Sequence, residues 1–178
     1  MDIVAHGLWV GIGMTAASRR WPMTRRTVVA TVALAVLPDL AQLLPIVGWA
    51  LFADDSFAAL RAYVSALPDW APVLPPTVAL LTFQLHCIMH SAIVAGAVTL
   101  LWRALLRSWW IPLLGWWSHI VIDVFTHSAE FYVSPVLYPL TQRGFDGLAW
   151  NTPWFLVLNY VALGAAALWL ARAGRKQP

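Results

Sequence analysis

Residues 109–128 read WWIPLLGWWSHIVIDVFTHS, an apolar run of bilayer-crossing length that nevertheless holds His119, Asp123 and His127 at intervals of four. Residues four apart share one face of a helix, so the three polar groups form a stripe that turns only about 40° per step. A spanning helix needs about 20 mostly apolar residues, with a range of roughly 17–25. The run meets that requirement, and its two imidazoles and one carboxylate are the feature that needs a cause.

The surroundings of this stretch are equally apolar. The chain has 178 residues, 61% hydrophobic and 11% charged, with a mean hydropathy of +0.71. Soluble domains have about 45–50% apolar and about 25% charged residues, so composition excludes a water-soluble globule. Twelve tryptophans agree, since Trp collects at bilayer interfaces. Four further runs, 3–18, 27–52, 78–102 and 153–171, are candidate spans. Together they predict an all-α fold: a polytopic membrane helical bundle of about five transmembrane helices in one domain, residues 1–178. Run 3–18 has no positive segment before it, which makes it an uncleaved first helix rather than a signal peptide. Pro38 and Pro45 predict a kink or a break in the second run, because each removes a backbone donor. The proline-rich loop 53–77 and the loop 129–152 are expected along the outer surface.

Charge sets the orientation. Arg19, Arg20, Arg25 and Arg26 follow the first run, Arg103 and Arg107 follow the third, and Arg172, Arg175 and Lys176 follow or end the last. Asp54, Asp55, Asp69, Glu130 and Asp146 fall in the alternate loops. This positive-inside alternation places the N-terminus outside and the C-terminus in the cytoplasm. The net charge of +3 is then topological, and no basic face with interleaved aromatics speaks for a nucleic-acid partner. The single cysteine, Cys87, excludes an intramolecular disulfide and a cysteine-based zinc site.

All five histidines, with Asp39 and Asp123, lie inside the apolar runs. An ionisable group near the bilayer centre costs about 2.5–3.5 kcal/mol on insertion scales, so seven of them over four helices predict a shared purpose. Threaded with the N-terminus outside, His6, Asp39, His86, His90, His119, Asp123 and His127 all fall in the outer half of the membrane. Imidazoles and carboxylates without thiolate suit zinc, or manganese or iron. Seven candidates allow one to three ions. Such a site polarises a phosphoryl oxygen and acidifies water, the two needs of phosphoester hydrolysis. Asp39 and Asp123 are the candidates for steering or deprotonating that water. Taken singly, each histidine fits packing as well as ligation, and His6 and His127, near helix ends, are the least constrained. Ser91, Ser118 and Thr126 suit either ligand orientation or helix packing. Arg143 reads as a solvated loop residue, with a substrate phosphate as its alternative partner. Two other functions use the same residue types: a divalent-metal or proton transporter, and a b-type haem electron carrier.

The order MDIVAHGLWVG, VLPDL, HCIMHS, then GWWSHIVIDVFT followed by SPVLYPL resembles the bacterial and archaeal membrane-bound metal-dependent hydrolases, which include the LexA-regulated inner-membrane hydrolases. The likeness covers residues 1 to about 140 and is strongest from Gly115 to Thr126. It implies a multi-pass protein of the inner (cytoplasmic) membrane, distantly similar to the zinc-dependent phospholipase C and P1 nuclease group. It carries over His6, Asp39, His90, His119 and Asp123 as metal-site positions. The chain departs from the family pattern at HCIMHS, which lacks an Arg-Gly pair, at LPDLAQLLP, which lacks a second Asp and a His, and at His127, where proline is common. The location of the site among membrane helices, by itself, favours an amphipathic substrate, a lipid or lipid-linked phosphoester, with the lipid bilayer as partner.

Overall fold

A computed structural model describes residues 1–52, 56–65, 73–130 and 133–174. Asp54, Asp55, Asp69, Trp70, Arg175 and Lys176 lie outside these. The described residues form helices α1 (Ile3–Ser18), α2 (Arg25–Phe52), α3 (Ser56–Val64), α4 (Pro76–Met89), α5 (Ala92–Leu106), α6 (Leu113–Thr126) and α7 (Pro153–Gly174). No strand ladder occurs among them.

α2 is the central element, packed against α1, α4 and α6. Val32 and Val36 of α2 lie beside Gly11 and Gly7 of α1, which makes those two helices antiparallel. Thr31 of α2 meets Gly115 of α6, and Ala35 meets His119 one turn on, so α2 and α6 run parallel. α7 runs parallel to α1: Tyr160 Oη donates to Asp2 Oδ1 at 2.9 Å, Trp9 Nε1 donates to Asn159 Oδ1 at 2.8 Å, and Arg19 donates to the Leu170 carbonyl. Arg19 and Arg172 are therefore at the same end of the bundle, as the charge pattern predicts. α2 continues as one helix through Pro38 and Pro45, so the second run does not break into two pieces there.

α2 and α7 are long and apolar enough to cross a membrane, and the α4–α5 pair is a third candidate if taken as one bent span. Their exteriors agree. Val157, Val161, Leu168 and Trp169 on α7 are all at least 60% exposed, an arrangement that water would penalise and acyl chains would not. α1 and α6, with 16 and 14 residues, are only about 24 and 21 Å long at 1.5 Å per residue. α6 is shorter than its apolar run because Pro112 stands at its N-cap and His127 turns extended at its C-cap.

The continuous run 78–102 is divided by a 59° bend at His90 and Ser91. Ser91 is the N-cap of α5, its hydroxyl accepting from Val94 N at 3.2 Å and donating to the Tyr138 carbonyl. The freed Ala92 N–H donates to the Val136 carbonyl at 2.9 Å. Segment 134–138 thus satisfies the backbone groups that the bend releases, which hydrocarbon would not do. The proline-rich loop 53–77 contains α3.

Candidate metal centre

His119 sits on α6 where the helix passes α2. Its Nδ1 donates to the Ala35 carbonyl at 2.7 Å. That bond fixes the ring and leaves Nε2 as the bare nitrogen. His90, at the end of α4, is held the same way: Nδ1 donates to the His86 carbonyl at 2.9 Å. The bend after His90 puts this ring in the core rather than along the α4 surface. The two bare nitrogens then face each other 3.0 Å apart. Two lone pairs at that distance repel unless a cation or proton lies between them.

Carboxylates complete the convergence. Asp123 Oδ2 is 3.0 Å from His119 Nε2 and 3.2 Å from His90 Nε2. Asp39 Oδ1 is 3.8 and 3.7 Å from the same atoms. Asp123 Oδ2 and Asp39 Oδ2 are buried and receive no hydrogen bond, a state that costs several kcal/mol per group without a counter-charge. Asp39, His90, His119 and Asp123 are all buried, and one ligand atom from each lies within 4.8 Å of the others. Tetrahedral zinc with bonds of about 2.0–2.1 Å needs ligand atoms roughly 3.3 Å apart, close to the separations found. This group can hold a metal ion.

The remaining candidates are arranged around it. His6 Nε2 is 2.9 Å from Asp123 Oδ1, and its ring stacks on His119 with centroids 3.9 Å apart. His127 Nε2 is 3.9 Å from the same oxygen and 3.3 Å from the Met1 amine, which itself contacts Asp123 Oδ1. Asp123 is thus two-sided: Oδ2 faces His90 and His119, while Oδ1 faces His6 and His127. His86 lies beside His90, with ring centroids 4.1 Å apart and planes tilted by 35°, and is outside the four-residue group. Its Nδ1 is 2.8 Å from Gln42 Oε1 and its Nε2 is 3.2 Å from the Val133 carbonyl.

Of the hydroxyls, Thr126 Oγ1 is 3.4 Å from Asp123 Oδ1, Ser118 donates to the Gly115 carbonyl, and Ser91 caps α5. Arg143 is exposed, and its backbone N–H donates to Thr141 Oγ1.

Several groups at the site escape a reading by residue type, among them the Ala35 carbonyl, the Met1 amine, Gln42 and the Trp116 indole. Trp116 Nε1 donates to the Met89 carbonyl at 2.6 Å, tying α6 to the end of α4 beside His90. Trp116→Phe keeps an aromatic ring and drops this bond. Loss of one buried hydrogen bond costs about 1 kcal/mol, so a slightly lowered thermal midpoint in detergent is expected, and an unchanged midpoint would show the bond to be idle.

A cavity of about 300 Å³ adjoins the group. Asp39, Gln42, His86 and His127 form polar parts of its lining, and Ile3, Val4, Leu43 and Val64 form apolar parts. Val4 and Val64 are also exposed on the outer surface of the protein.

Comparison of the chain with protein families, with curated proteins and with solved structures finds no significant match.

Proposed function

We propose that this chain is a metal-dependent hydrolase of the inner membrane, of the membrane-bound type it resembles, acting on a phosphoester of a lipid or lipid-linked substrate. One observation carries the reading: two imidazoles whose protonated nitrogens are committed to carbonyls turn bare Nε2 atoms toward two buried carboxylates, each with one oxygen that receives no hydrogen bond. Neutral nitrogen and anionic oxygen donors together favour zinc, with manganese or iron as the nearest substitutes. Two carboxylates and two neutral imidazoles balance one divalent cation, and the outward oxygen of Asp123 is taken by the Met1 amine and His6.

Zinc bound here would supply Lewis acidity toward a phosphoryl oxygen and a water of lowered pKa. The chain's own residues do the rest. His90, His119 and Asp123 hold the charge. Asp39 stands between the group and the cavity, where its free Oδ2 is placed to orient a water or take its proton. The apolar wall of Ile3, Val4, Leu43 and Val64 suits an acyl or prenyl chain, and the exposure of Val4 and Val64 suits a substrate arriving sideways from the bilayer. In the full topology proposed, five spans cross the membrane with the N-terminus outside, and the metal group lies in the outer half. A haem is disfavoured, since no porphyrin plane fits between two Nε2 atoms 3.0 Å apart.

Elemental analysis of detergent-purified protein is the first test, with at least one zinc per chain expected. The second is release of phosphate or head group from phospholipids and lipid phosphates with Zn²⁺ or Mn²⁺ present. Bound zinc without any such hydrolysis, together with Zn²⁺ uptake into proteoliposomes, would replace the hydrolase by a transporter.

A further inference from the structure

Asp39 is the least anchored of the four potential ligands. It borders the cavity, so its carboxylate has space to rotate away from His90 and His119. Its Oδ1, the oxygen nearest those rings, accepts from Gln42 Nε2 at 3.3 Å. Gln42 is three residues further along α2, on the same face. With the amide nitrogen so directed, Oε1 points the other way and accepts from His86 Nδ1 at 2.8 Å. The far nitrogen of His86 lies 3.2 Å from the Val133 carbonyl, but a neutral imidazole carries one N–H, and the bond to Gln42 uses it. The result is a three-part chain, His86 to Gln42 to Asp39, that starts on α4 and ends on a potential ligand.

We infer that Gln42 and His86 are positioning residues that hold Asp39 toward the metal, and that His86 is a support and not a ligand. The inference rests on the metal reading above. Partners of this kind change metal affinity by about 10–100-fold when removed, without removing the site. The links act in series, so breaking either one releases Asp39 and breaking both adds little.

The test is a competition titration of purified protein with Zn²⁺ and a chromogenic chelator. Gln42→Met keeps volume and length and removes both amide contacts; it should weaken Zn²⁺ binding about tenfold or more, with unchanged stoichiometry at saturation. His86→Ala should do the same, and the double variant should be no worse than the weaker single one. His86→Asn restores a donor where Nδ1 stood, so it should bind Zn²⁺ within a few-fold of wild type. A merely structural role would not give that recovery. If His86→Asn loses as much affinity as His86→Ala and stoichiometry falls, His86 is a ligand and the inference is overturned. It is equally overturned if the wild type binds Zn²⁺ and Gln42→Met binds it as tightly. A wild type that binds none overturns the metal reading itself, and this inference with it.

Discussion

Asp123→Asn is expected to abolish tight metal binding and, with it, hydrolysis, while leaving the protein folded. The substitution keeps the shape of the side chain. Asparagine still offers a carbonyl oxygen to His6, whose Nε2 lies 2.9 Å from Oδ1, and to Thr126. What it removes is the negative charge at the one residue that faces both sides of the site. Oδ2 contacts His90 and His119, and Oδ1 contacts the Met1 amine and His6 and approaches His127. With Asn there, a divalent ion in the four-residue group would have a single carboxylate against two charges, and the Met1 ammonium would lose its counter-charge as well, which is costly at low dielectric. The loss of zinc affinity should exceed about 100-fold, the upper range for losing a supporting partner. Chelator competition and elemental analysis measure it. Asp123→Asn protein that retains zinc at wild-type affinity would remove Asp123 from the ligand set and with it the proposed site.

Much of this arrangement is legible in the sequence, and the reasons differ by residue. Asp123 and His119 stand out because an ionisable pair spaced by four on an apolar helix is too costly in hydrocarbon to persist without a partner or a task. Asp39 is legible for the same reason. Their meeting is less so, because it depends on α2 and α6 running parallel with Thr31 beside Gly115, a register no single segment encodes. The break at His90 is hidden: apolarity continues across it, and only Ser91, a good N-cap residue, hints that a second helix starts there. The helix does not end at Pro38 or Pro45, where local rules allow either a kink or a break. Gln42 is missed when attention stays on ionisable groups. Its signal is nonetheless present, as the one amide in LPDLAQLLP, three residues after the aspartate. A backbone carbonyl such as that of Ala35 carries no signal at all, since every residue has one.

The second large effect concerns a residue that touches no metal. A Cβ added at Gly115 would stand 1.9 Å from the Thr31 carbonyl oxygen, 2.9 Å from its carbon and 3.0 Å from Ala35 N. All three are backbone atoms of α2, so no side chain can rotate aside, and the two helices would have to part. Close approach through small residues is the ordinary way for membrane helices to pack. Overpacking of this kind costs typically about 1–3 kcal/mol, occasionally more, and a backbone-to-backbone clash belongs at the upper end. The consequence reaches the site because the same contact sets Ala35 against His119 Nδ1 at 2.7 Å and Asp39 against Nε2. Gly115→Ala should therefore lower the thermal midpoint and weaken zinc binding about tenfold or more, the scale seen when a ligand loses its supporting hydrogen bond. Gly164→Ala is the control, since an added Cβ there meets nothing within 4 Å; it should leave both quantities unchanged. If Gly115→Ala instead melts and binds zinc like the wild type, α2 and α6 do not meet at this register. In that case the convergence of Asp39 with His119 and Asp123 needs a different packing of the bundle.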